Sequence, residues 1–400
     1  MVNARIGTRR VGGIPLLVSG YAISSYGNYL NIIALSLFTY EVTRSPIGIG
    51  LVMSLRLAAG VCAAPIAGRL AGRLDRRHMM LAADFAQMAA MLVLAFGVAA
   101  RSVVLLACVV VVLGAGNTTF LVAMRTAVPQ LFGQDERVRV TGLLVTVRSL
   151  AAVGGFASAG IVIGTGGFEV AFLLNAASFV ASAVALVLLG RVIAERGAPE
   201  AAEPGAVPGT RIRLLGVVAP AVLAMVAVRG VDALSSSSHN IALPVFAAAA
   251  DPARPATVMA LFWSAWAVGI VLAHLVLTRW RRVEPGARAF AVGTAVMSVS
   301  FALAFLDTTL VLVCLAALVA GLAEGFAEIT YTARLQAEPD HLRGRLFGLS
   351  ATAETSGFAL GMVASAAALE VAAPAVVVAS FHGLAVVAAL AFLVFAVARR

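Results

Sequence analysis

The stretch Gly68-Arg-Leu-Ala-Gly-Arg-Leu-Asp-Arg-Arg-His78 decides how the rest of the chain folds. It carries four arginines, one aspartate and two glycines, and it separates two long apolar runs. It is too short for a domain and too highly charged for the core of a lipid bilayer. We therefore interpret it as a tight turn between two membrane-spanning helices. Because cytoplasmic loops carry an excess of basic residues, this turn is expected on the cytoplasmic side.

The composition of the 400 residues extends this interpretation to the whole chain. Hydrophobic residues make up 61% and charged residues only 12%, whereas soluble domains carry about 25% charged residues. The mean hydropathy of +1.00 is typical of a multi-span membrane protein with almost no soluble part. The net charge of +10 comes from arginines scattered over short loops rather than clustered on one face, which excludes a nucleic-acid footprint. We expect a lipid bilayer and a small-molecule substrate as partners, and no nucleic acid.

Apolar runs of about 20 residues mark the membrane spans, since a helix of that length crosses the bilayer core. Applied along the chain, this criterion predicts an all-α fold with twelve spans. They cover 15–40, 46–69, 79–100, 103–124, 141–163, 170–190, 214–246, 257–278, 289–306, 308–331, 346–369 and 375–398. The seventh run contains Pro244 and Ser235–Ser238, which predicts a kinked or partly unwound helix. Cys62, Cys108 and Cys314 fall in apolar runs and are expected to be small core residues.

The distribution of arginine orients these spans. With alternating sides, 23 arginines fall at the two termini and in the loops on the same side as the opening turn. The opposite loops hold only Arg44, Arg101 and Arg254. Both termini are therefore expected in the cytoplasm. The excess of arginine, alanine and valine fits a high-GC bacterial genome, so the plasma (inner) membrane of a bacterium is the expected location.

The chain divides into two similar halves. The segment 191–213 is the only extended polar stretch, and it predicts a cytoplasmic linker between residues 1–190 and 214–400. The loops 135–143 and 340–349 both contain an aspartate followed by Arg-x-x-Gly-Leu at the start of a span. Two matched six-span halves around a site at the bilayer midplane are the pattern of secondary transporters. We therefore predict two pseudo-symmetric six-helix bundles.

Several motifs make the similarity more specific. They are Ser24-Ser-Tyr-Gly-Asn-Tyr-Leu-Asn-Ile-Ile-Ala34, Tyr40-Glu-Val-Thr-Arg-Ser-Pro46, Gly68 to Arg77 followed by Ala83-Asp84, Arg125-Thr-Ala-Val-Pro129, and Leu335-Gln336 with Pro339-Asp-His-Leu-Arg-Gly-Arg345. With these motifs the chain resembles the major facilitator superfamily, and within it the drug-exporter branch that includes macrolide efflux proteins and the enterobactin exporter. The resemblance covers most of the chain. It implies export of small amphipathic compounds by proton antiport and alternating access.

The chain departs from the pattern of this family at four places. Gly72 and Asn28 stand where relatives usually have aspartate, and Gly154-Gly155 replaces a Gly-Pro pair. The arginine that many proton antiporters carry upstream of Gly114 is absent. These differences keep open an importer or an uncoupled facilitator. A non-transporting membrane scaffold or sensor is a hypothesis of another class, although the short loops offer it little surface for a partner.

Charges inside spans are the candidates for proton coupling, because a charged side chain at the bilayer centre is costly. Arg229 and Asp232 lie three residues apart and share a helix face, either as a coupling pair or as a structural ion pair. Glu324 and Glu328 lie four apart, and two adjacent carboxylates favour protonation of one. The deeper Glu324 is the preferred proton carrier. For Glu328 we favour an interfacial pair with one of two arginines, Arg334 or Arg343.

Three further charged residues complete the candidates for coupling. Arg56 and Glu354 lie on helices that pack across the domain interface in the resembled fold, where an ion pair would be either a coupling element or a static bridge. Arg148 is expected to meet a carboxylate on the cytoplasmic side, either Glu354 or Asp84. The alternative for Asp84 is a helix-end anchor near the turn.

The remaining candidates are a substrate cavity and a cytoplasmic latch. The cavity candidates are polar or aromatic residues within spans: Tyr21, Ser25, Asn28, Tyr29, Asn31, Asn117, Trp263 and Trp266. The latch candidates lie in or beside the arginine-rich loops and would bond to opposing helix ends: Gly68, Arg73, Asp75, Arg76, Arg77, Asp340, Arg343 and Arg345. Two Gly-x-x-x-Gly pairs, at 321/325 and 357/361, predict close helix packing. Because the sequence holds no nucleotide-binding loop, metal-ligand cluster or catalytic triad, we expect a monomeric, non-enzymatic protein that uses a proton gradient and no cofactor.

Overall fold

The computed structural model describes residues 13–132, 136–194, 220–279, 286–306 and 309–398. Within these ranges every regular element is helical, and a short 3-10 turn at Val98–Ala100 follows the third helix. The α-helices are α1 (Ile14–Thr43), α2 (Pro46–Ala71), α3 (Arg76–Gly97), α4 (Val103–Phe132), α5 (Arg137–Ala194), α6 (Pro220–Ala250), α7 (Pro255–Arg279), α8 (Ala287–Ala304), α9 (Leu310–Gln336), α10 (Asp340–Leu369) and α11 (Pro374–Ala398).

Helix α5 contains a break that the sequence placed between two spans. It is 58 residues long, and Gly167 inside it has φ 72° and ψ −174°. Glycine adopts that conformation readily because it has no Cβ atom. In any other residue the Cβ atom would clash with the local backbone. The break divides α5 into an N-terminal arm (137–166) and a C-terminal arm (168–194). Counted in this way, a described helical segment lies at each of the twelve predicted spans.

The helices have the length and surface of membrane spans. Eight of the described helices are long and apolar enough to cross a bilayer. Helices α1 and α10 are long enough to cross a bilayer but are not among these eight. They are more polar, since α1 carries Asn28 and Asn31 and α10 carries Glu354. The outer faces expose large apolar side chains, such as Phe96 at 75% and Val104 at 74%. An apolar surface of this kind fits contact with lipid better than contact with water.

The chain forms two compact units. Unit 1 comprises Met1–Val42 and Val52–Val207, and unit 2 comprises Thr43–Leu51 and Pro208–Arg400. The division between residues 207 and 208 falls inside the predicted linker 191–213, most of which lies outside the described residues. In unit 1, α3 packs against α4 and α5. In unit 2, α6 packs against α10 and α11, while α9 packs against α7 and α8.

Glycines bring helices together at corresponding places in the two units. In unit 1, a Cβ atom on Gly114 of α4 would lie 2.0 Å from the carbonyl oxygen of Arg56 on α2. In unit 2, a Cβ atom on Gly321 of α9 would lie 2.0 Å from the carbonyl oxygen of Trp266 on α7. Such contacts need a residue without a side chain, so the packing role predicted for the pair 321/325 is confirmed. The pair 357/361 packs in the same way, against the backbone of α6 at Gly230 and Leu234.

Replacing Gly321 by alanine is therefore expected to destabilise the protein by about 1–3 kcal/mol, the usual cost of overpacking a core. The atom that the new methyl group meets belongs to the backbone, so a side-chain rotation cannot relieve the clash. Gly348→Ala is the matched control, because a Cβ atom added to Gly348 on α10 would have no neighbour within 4 Å. There the higher helix propensity of alanine is expected to leave stability unchanged or to increase it. Thermal unfolding in detergent measures both changes, and equal melting temperatures for the two variants would contradict the packing argument.

Two sequence-based expectations about these helices are wrong. Helix α6 is continuous from Pro220 to Ala250 with Pro244 inside it, so the partly unwound alternative is wrong, while a kink at Pro244 stays a prediction. Its serines are accommodated because the hydroxyl groups of Ser237 and Ser238 donate to carbonyl oxygens three residues earlier, at 2.6 Å each. The cysteines are not core residues: Cys62 and Cys108 are exposed, and Cys314 is half-buried. Their apolar surroundings in the sequence belong to outward-facing helix surfaces.

Candidate functional site

A network of charged side chains in unit 2 is centred on Arg229 of α6. Its Nη2 atom lies 2.6 Å from Oε2 of Glu328 on α9, and its Nη1 atom lies 3.3 Å from Oδ2 of Asp232. Its Nε atom lies 3.5 Å from Oε1 of Glu354 on α10. One guanidinium group therefore faces three carboxylates from three helices, and we call these four residues the Arg229 cluster.

Hydroxyl groups hold the carboxylates of the Arg229 cluster in place. Ser350 donates to Oε1 of Glu354 at 2.8 Å, and the hydroxyl of Tyr331 donates to Ser350 at 2.7 Å. Thr332 donates to Glu328 at 3.1 Å. The guanidinium carbon of Arg229 also lies 5.8 Å from the centre of the Tyr331 ring, within the range of a cation–π contact. These second contacts fix the orientation of the acids that face the arginine.

The charges in the Arg229 cluster do not cancel. With all three acids ionised, the single guanidinium leaves an excess of two negative charges. Exposure of the side chains is 16% for Arg229, 6% for Asp232, 37% for Glu354 and 46% for Glu328. Asp232 is thus the buried partner, while the two glutamates are partly exposed. An excess of negative charge at such a place is costly, because like charges close together repel one another.

Glu324 lies beside this cluster on α9 and has a different partner. The indole Nε1 of Trp266 on α7 donates to its Oε2 atom at 2.7 Å. Trp266 was predicted to line the substrate cavity, and its indole group is a hydrogen-bond donor to Glu324 here. Trp263 is buried and packs edge-on against Trp266, with ring centres 5.2 Å apart. Glu324, the predicted proton carrier, is therefore held by the neutral indole N–H of Trp266, which packs against Trp263.

The favoured interpretation of Glu328 is wrong. It was expected to pair with Arg334 or Arg343, but it pairs with Arg229. Arg334 pairs instead with Glu338, which lies four residues further on in the turn after α9, at 2.6 Å. The rotation of α9 explains the difference, since it directs Glu328 toward α6.

A pair of buried histidines joins α6 to α11. The Nδ1 atom of His239 lies 3.1 Å from Nε2 of His382, and the side-chain amide of Asn240 lies 3.2 Å from Nε2 of His239. Because an amide nitrogen can only donate, His239 accepts at Nε2 and donates from Nδ1 to His382. This pattern makes both rings neutral and leaves Nδ1 of His382 as a donor without a partner among the described residues. Phe301 stacks on His239 with centres 3.9 Å apart, so a neutral pair suits this apolar setting.

Unit 1 contains a polar cavity of about 120 Å³. Five of the predicted cavity residues line it, together with Arg56 and Arg148; Gln87 and Ser24 are lining residues that sequence reasoning missed. The complete lining is Tyr21, Ser24, Ser25, Asn28, Tyr29, Ile32, Arg56, Gln87, Asn117, Phe120, Leu121 and Arg148. Asn31 was predicted to line the cavity, but it is fully buried and is not part of the lining.

The two arginines of this cavity are not paired in the way that the sequence suggested. The Nε atom of Arg148 donates to the hydroxyl of Tyr29 at 2.9 Å. No described residue of unit 1 forms an ion pair with Arg148, so the expected pair with Asp84 is absent. The predicted pairings of Arg56 and Arg148 with Glu354 join the two units and stay predictions. Glu354 itself pairs with Arg229.

Asp84 is more deeply buried than a helix-end anchor would be. It lies more than two turns inside α3, which begins at Arg76, and it is 1% exposed. The hydroxyl of Ser182 is a polar neighbour of its carboxylate, and no described residue of unit 1 forms an ion pair with it. A charged carboxylate in that position is unfavourable, because burial of a charge without a counter-charge carries a large desolvation cost.

Asp84→Asn is accordingly expected to raise the unfolding temperature at pH 8 by several degrees. Removal of a buried charge that has no counter-charge recovers about 1–3 kcal/mol, and about 1 kcal/mol corresponds to roughly 2–4 °C in a domain of 150–250 residues. The control is Asp251→Asn, because Oδ1 of Asp251 accepts from the amides of Ala253 and Arg254 at 3.1 Å each. Thermal unfolding in detergent distinguishes the two changes, and a fall in melting temperature for Asp84→Asn would contradict the argument.

The predicted cytoplasmic latch has a contact inside unit 1. Asp75 caps the start of α3 by accepting from the amide of Arg77 at 2.7 Å. The side chain of Arg77 donates to the carbonyl oxygens of Leu186 and Val187, at 2.8 and 3.0 Å. Both acceptors lie in the C-terminal arm of α5, beside Gly190, whose missing side chain leaves room for the guanidinium. Near the other loop, Arg343 donates to the carbonyl oxygen of Glu338 at 3.2 Å.

Comparisons with known proteins identify the fold. A family model described as the Major Facilitator Superfamily matches residues 17–362. No curated protein matches the chain. A crystal structure of the nucleoside transporter NupG, in a mutant form, is 16% identical and has a TM-score of 0.71, covering 96% of this chain and 99% of that chain.

Two other solved structures give the same result. An auto-inhibited peptide transporter of the POT family is 14% identical, with a TM-score of 0.72 and 97% of both chains covered. A bacterial homologue of the human lysosomal transporter Spinster, in an inward-facing and unoccupied conformation, is also 14% identical. Its TM-score is 0.69, with 98% of this chain and 96% of that chain covered. At these identities the likeness concerns the fold alone.

Proposed function

Because this chain belongs to the major facilitator superfamily, we propose that it is a secondary active exporter of small amphipathic compounds, such as drugs, antibiotics or siderophore-like molecules. In this proposal it works as a monomer in the plasma membrane of a bacterium, with both termini in the cytoplasm. Twelve spans form two pseudo-symmetric six-helix bundles, and protons moving inward drive the substrate outward by alternating access. The energy comes from the proton gradient, so no cofactor is required.

The observation that carries the proposal is the excess of carboxylates around Arg229. Asp232, Glu328 and Glu354 share one guanidinium, and Glu324 lies nearby with only a neutral donor bonded to it. Protonation of a carboxylate weakens its attraction to Arg229, which then turns more fully to the remaining acids. The three acids lie on α6, α9 and α10, so each proton gained or lost changes the forces between these helices.

Exchange requires that proton and substrate oppose one another. If the proton-loaded form binds substrate weakly and the deprotonated form binds it tightly, each ligand lowers the affinity for the other by the same factor. Protons then enter from the side where they are abundant and leave where substrate binds. The Arg229 cluster with Glu324 would be the proton site, and the predicted substrate-cavity residues would face the compound that is exported.

The outward direction is supported by the sequence motifs that the chain shares with the drug-exporter branch. The second candidate function, import or uncoupled facilitation, is favoured by Gly72 and Asn28, which stand where proton-coupled relatives usually carry aspartate. The two functions differ in a measurable way, because an uncoupled facilitator moves substrate only down its own gradient.

Everted membrane vesicles with an acid interior test the proposed function. Addition of substrate is expected to release protons from the lumen in vesicles that contain the protein, and not in vesicles that lack it. A panel of antibiotics and siderophores, screened first for increased toxicity to a deletion strain, supplies the substrates. The proposal is wrong if deletion leaves sensitivity to the whole panel unchanged and no compound releases protons.

A further inference from the structure

The polar cavity of unit 1 has a charge that the proton-coupling mechanism does not use. Its lining contains the guanidinium groups of Arg56 and Arg148, and it contains no aspartate or glutamate. Among the described residues of unit 1, no carboxylate lies within ion-pair distance of either arginine. Unit 1 therefore supplies no counter-charge for these two cations, which are costly inside a membrane span, and an anion in the cavity would lower that cost.

The backbone and side chains around the cavity hold the two arginines in defined places. The carbonyl group of Arg56 is pressed against Gly114, which fixes α2 on α4 at this residue. Arg148 is oriented by its hydrogen bond to the hydroxyl of Tyr29. Because this hydroxyl accepts from Arg148, its own proton remains available to a ligand. The ring of Tyr29 is in turn fixed by an edge-on contact with Phe156, with centres 5.1 Å apart.

The rest of the lining indicates which kind of anion fits. Asn117, Ser24 and Ser25 add hydrogen-bonding groups, and an oxyanion has several oxygens to receive them. Planar guanidinium groups match the geometry of carboxylate, phosphate and sulfonate, to which they bind through two parallel hydrogen bonds. Beside them lie Phe120, stacked on Tyr21 with centres 6.4 Å apart, and the aliphatic Ile32 and Leu121. The cavity thus offers a charged end next to an apolar wall.

We propose that Arg56 and Arg148 bind an oxyanion group on the substrate, so that the compounds carried are amphipathic anions. This assignment rests on the proposed function and narrows its substrate class. In this assignment the two arginines, which were predicted as proton-coupling residues, bind substrate instead. Proton coupling is then the role of the acidic residues of unit 2.

A matched pair of probes separates the charge from the rest of the ligand. Dansylglycine carries a carboxylate, and dansylglycinamide has the same skeleton with a neutral amide in its place. Titration of the purified full-length protein in nanodiscs, followed by dansyl fluorescence and confirmed by equilibrium dialysis, gives both dissociation constants. We expect the carboxylate to bind about tenfold to a hundredfold more tightly, the usual effect of a charged hydrogen-bonded contact.

The variants assign this preference to the two arginines. Arg56→Gln and Arg148→Gln are each expected to lower the affinity for dansylglycine by about tenfold or more. The affinity for dansylglycinamide is expected to stay unchanged. Arg139→Gln is the control, because Arg139 is an exposed residue of α5 that pairs with Glu136 at 3.4 Å. Arg148→Lys keeps the charge without the planar fork and is expected to retain part of the preference.

Several outcomes would overturn the assignment. The first is equal affinity for the two probes, and the second is no measurable binding of dansylglycine at millimolar concentration. The third is an equal fall in the affinity for both probes in Arg56→Gln. Displacement of dansylglycine by sodium acetate and by sodium chloride at equal concentrations would indicate a site for small free anions rather than for substrate. Proton release from vesicles is measured separately. If the protein prefers dansylglycine but releases no protons, the proposed function is wrong and this inference stands. If it releases protons but binds both probes equally, this inference alone is wrong.

Discussion

Replacing Arg229 by methionine is expected to reduce transport to the level of vesicles without the protein and to destabilise the fold by about 3 kcal/mol. Methionine fills a similar volume but leaves three carboxylates without their common cation. Removal of one partner of a buried ion pair costs about 3–5 kcal/mol, because the other charge stays buried. Asp232 carries most of this cost, since it is 6% exposed. Glu328 and Glu354 are more open, and screening by solvent reduces their share.

Paired variants separate the effect of charge from that of lost packing. Arg229→Met combined with Asp232→Asn is expected to recover most of the lost stability, because the second change removes the charge that the first left without a partner. Transport is expected to stay absent in the double variant. Arg334→Met is the matched control: Arg334 also has a carboxylate at 2.6 Å, from Glu338 in the turn after α9. That pair lies outside the cluster, so transport is expected to persist.

Unfolding temperatures in detergent and substrate uptake into everted vesicles measure these effects together. A variant Arg229→Met that is as stable as the unmodified protein would show that the three acids are already neutral in the folded state. Retained uptake in the same variant would show that the arginine is dispensable, and the Arg229 cluster would then be a static element of the fold.

The positions of the helices could be predicted from the sequence because hydropathy along the chain determines where a span begins and ends. The arginine-rich turn, the break near Gly167 and the glycines that pack α9 on α7 all follow from local rules about charge, backbone freedom and side-chain size. The contact between Arg229 and Asp232 was also predictable, since residues three apart lie on one helix face.

Partners on different helices could not be predicted in the same way. Glu328 was expected to pair with Arg334 or Arg343, and it faces Arg229 on α6 instead. The choice depends on the rotation of α9 about its axis, which glycine contacts with α7 determine and which hydropathy leaves open. Asp84 was treated as an anchor near the turn for a similar reason: its distance from the turn was visible in the sequence, but the face of α3 on which it lies was not.

The expected unwinding of α6 is absent because the helix accommodates its serines and its first proline. Prolines and a run of four serines ordinarily weaken a helix. Here Pro220 begins the helix, where its missing amide hydrogen is not needed. The hydroxyl groups of Ser237 and Ser238 bond within the helix. Helix α6 packs closely against Gly357 and Gly361, and it carries Arg229, Asp232 and His239 on one continuous element.

Glu324→Gln is expected to abolish proton-driven accumulation of substrate while exchange of substrate for substrate continues. Glutamine keeps an oxygen that can accept from Nε1 of Trp266, so the contact at 2.7 Å is preserved. The amide can neither bind nor release a proton at physiological pH. A single coupled proton at a proton-motive force of about 120 mV supplies about 2.8 kcal/mol, which corresponds to about a hundredfold accumulation. The variant is expected to lose this whole factor.

The control and the competing carboxylate decide whether Glu324 is the coupling residue. Glu338→Gln is expected to leave accumulation intact, because Glu338 pairs with Arg334 near the end of α9. If Glu324→Gln still accumulates substrate about a hundredfold, the proton is carried within the Arg229 cluster, and Asp232→Asn should then uncouple transport. If both variants stay coupled, then the excess of negative charge around Arg229 has a purely structural role. The variant must also retain exchange of substrate for substrate. A variant that neither exchanges nor accumulates substrate has lost substrate binding or its fold, which uncoupling alone does not explain.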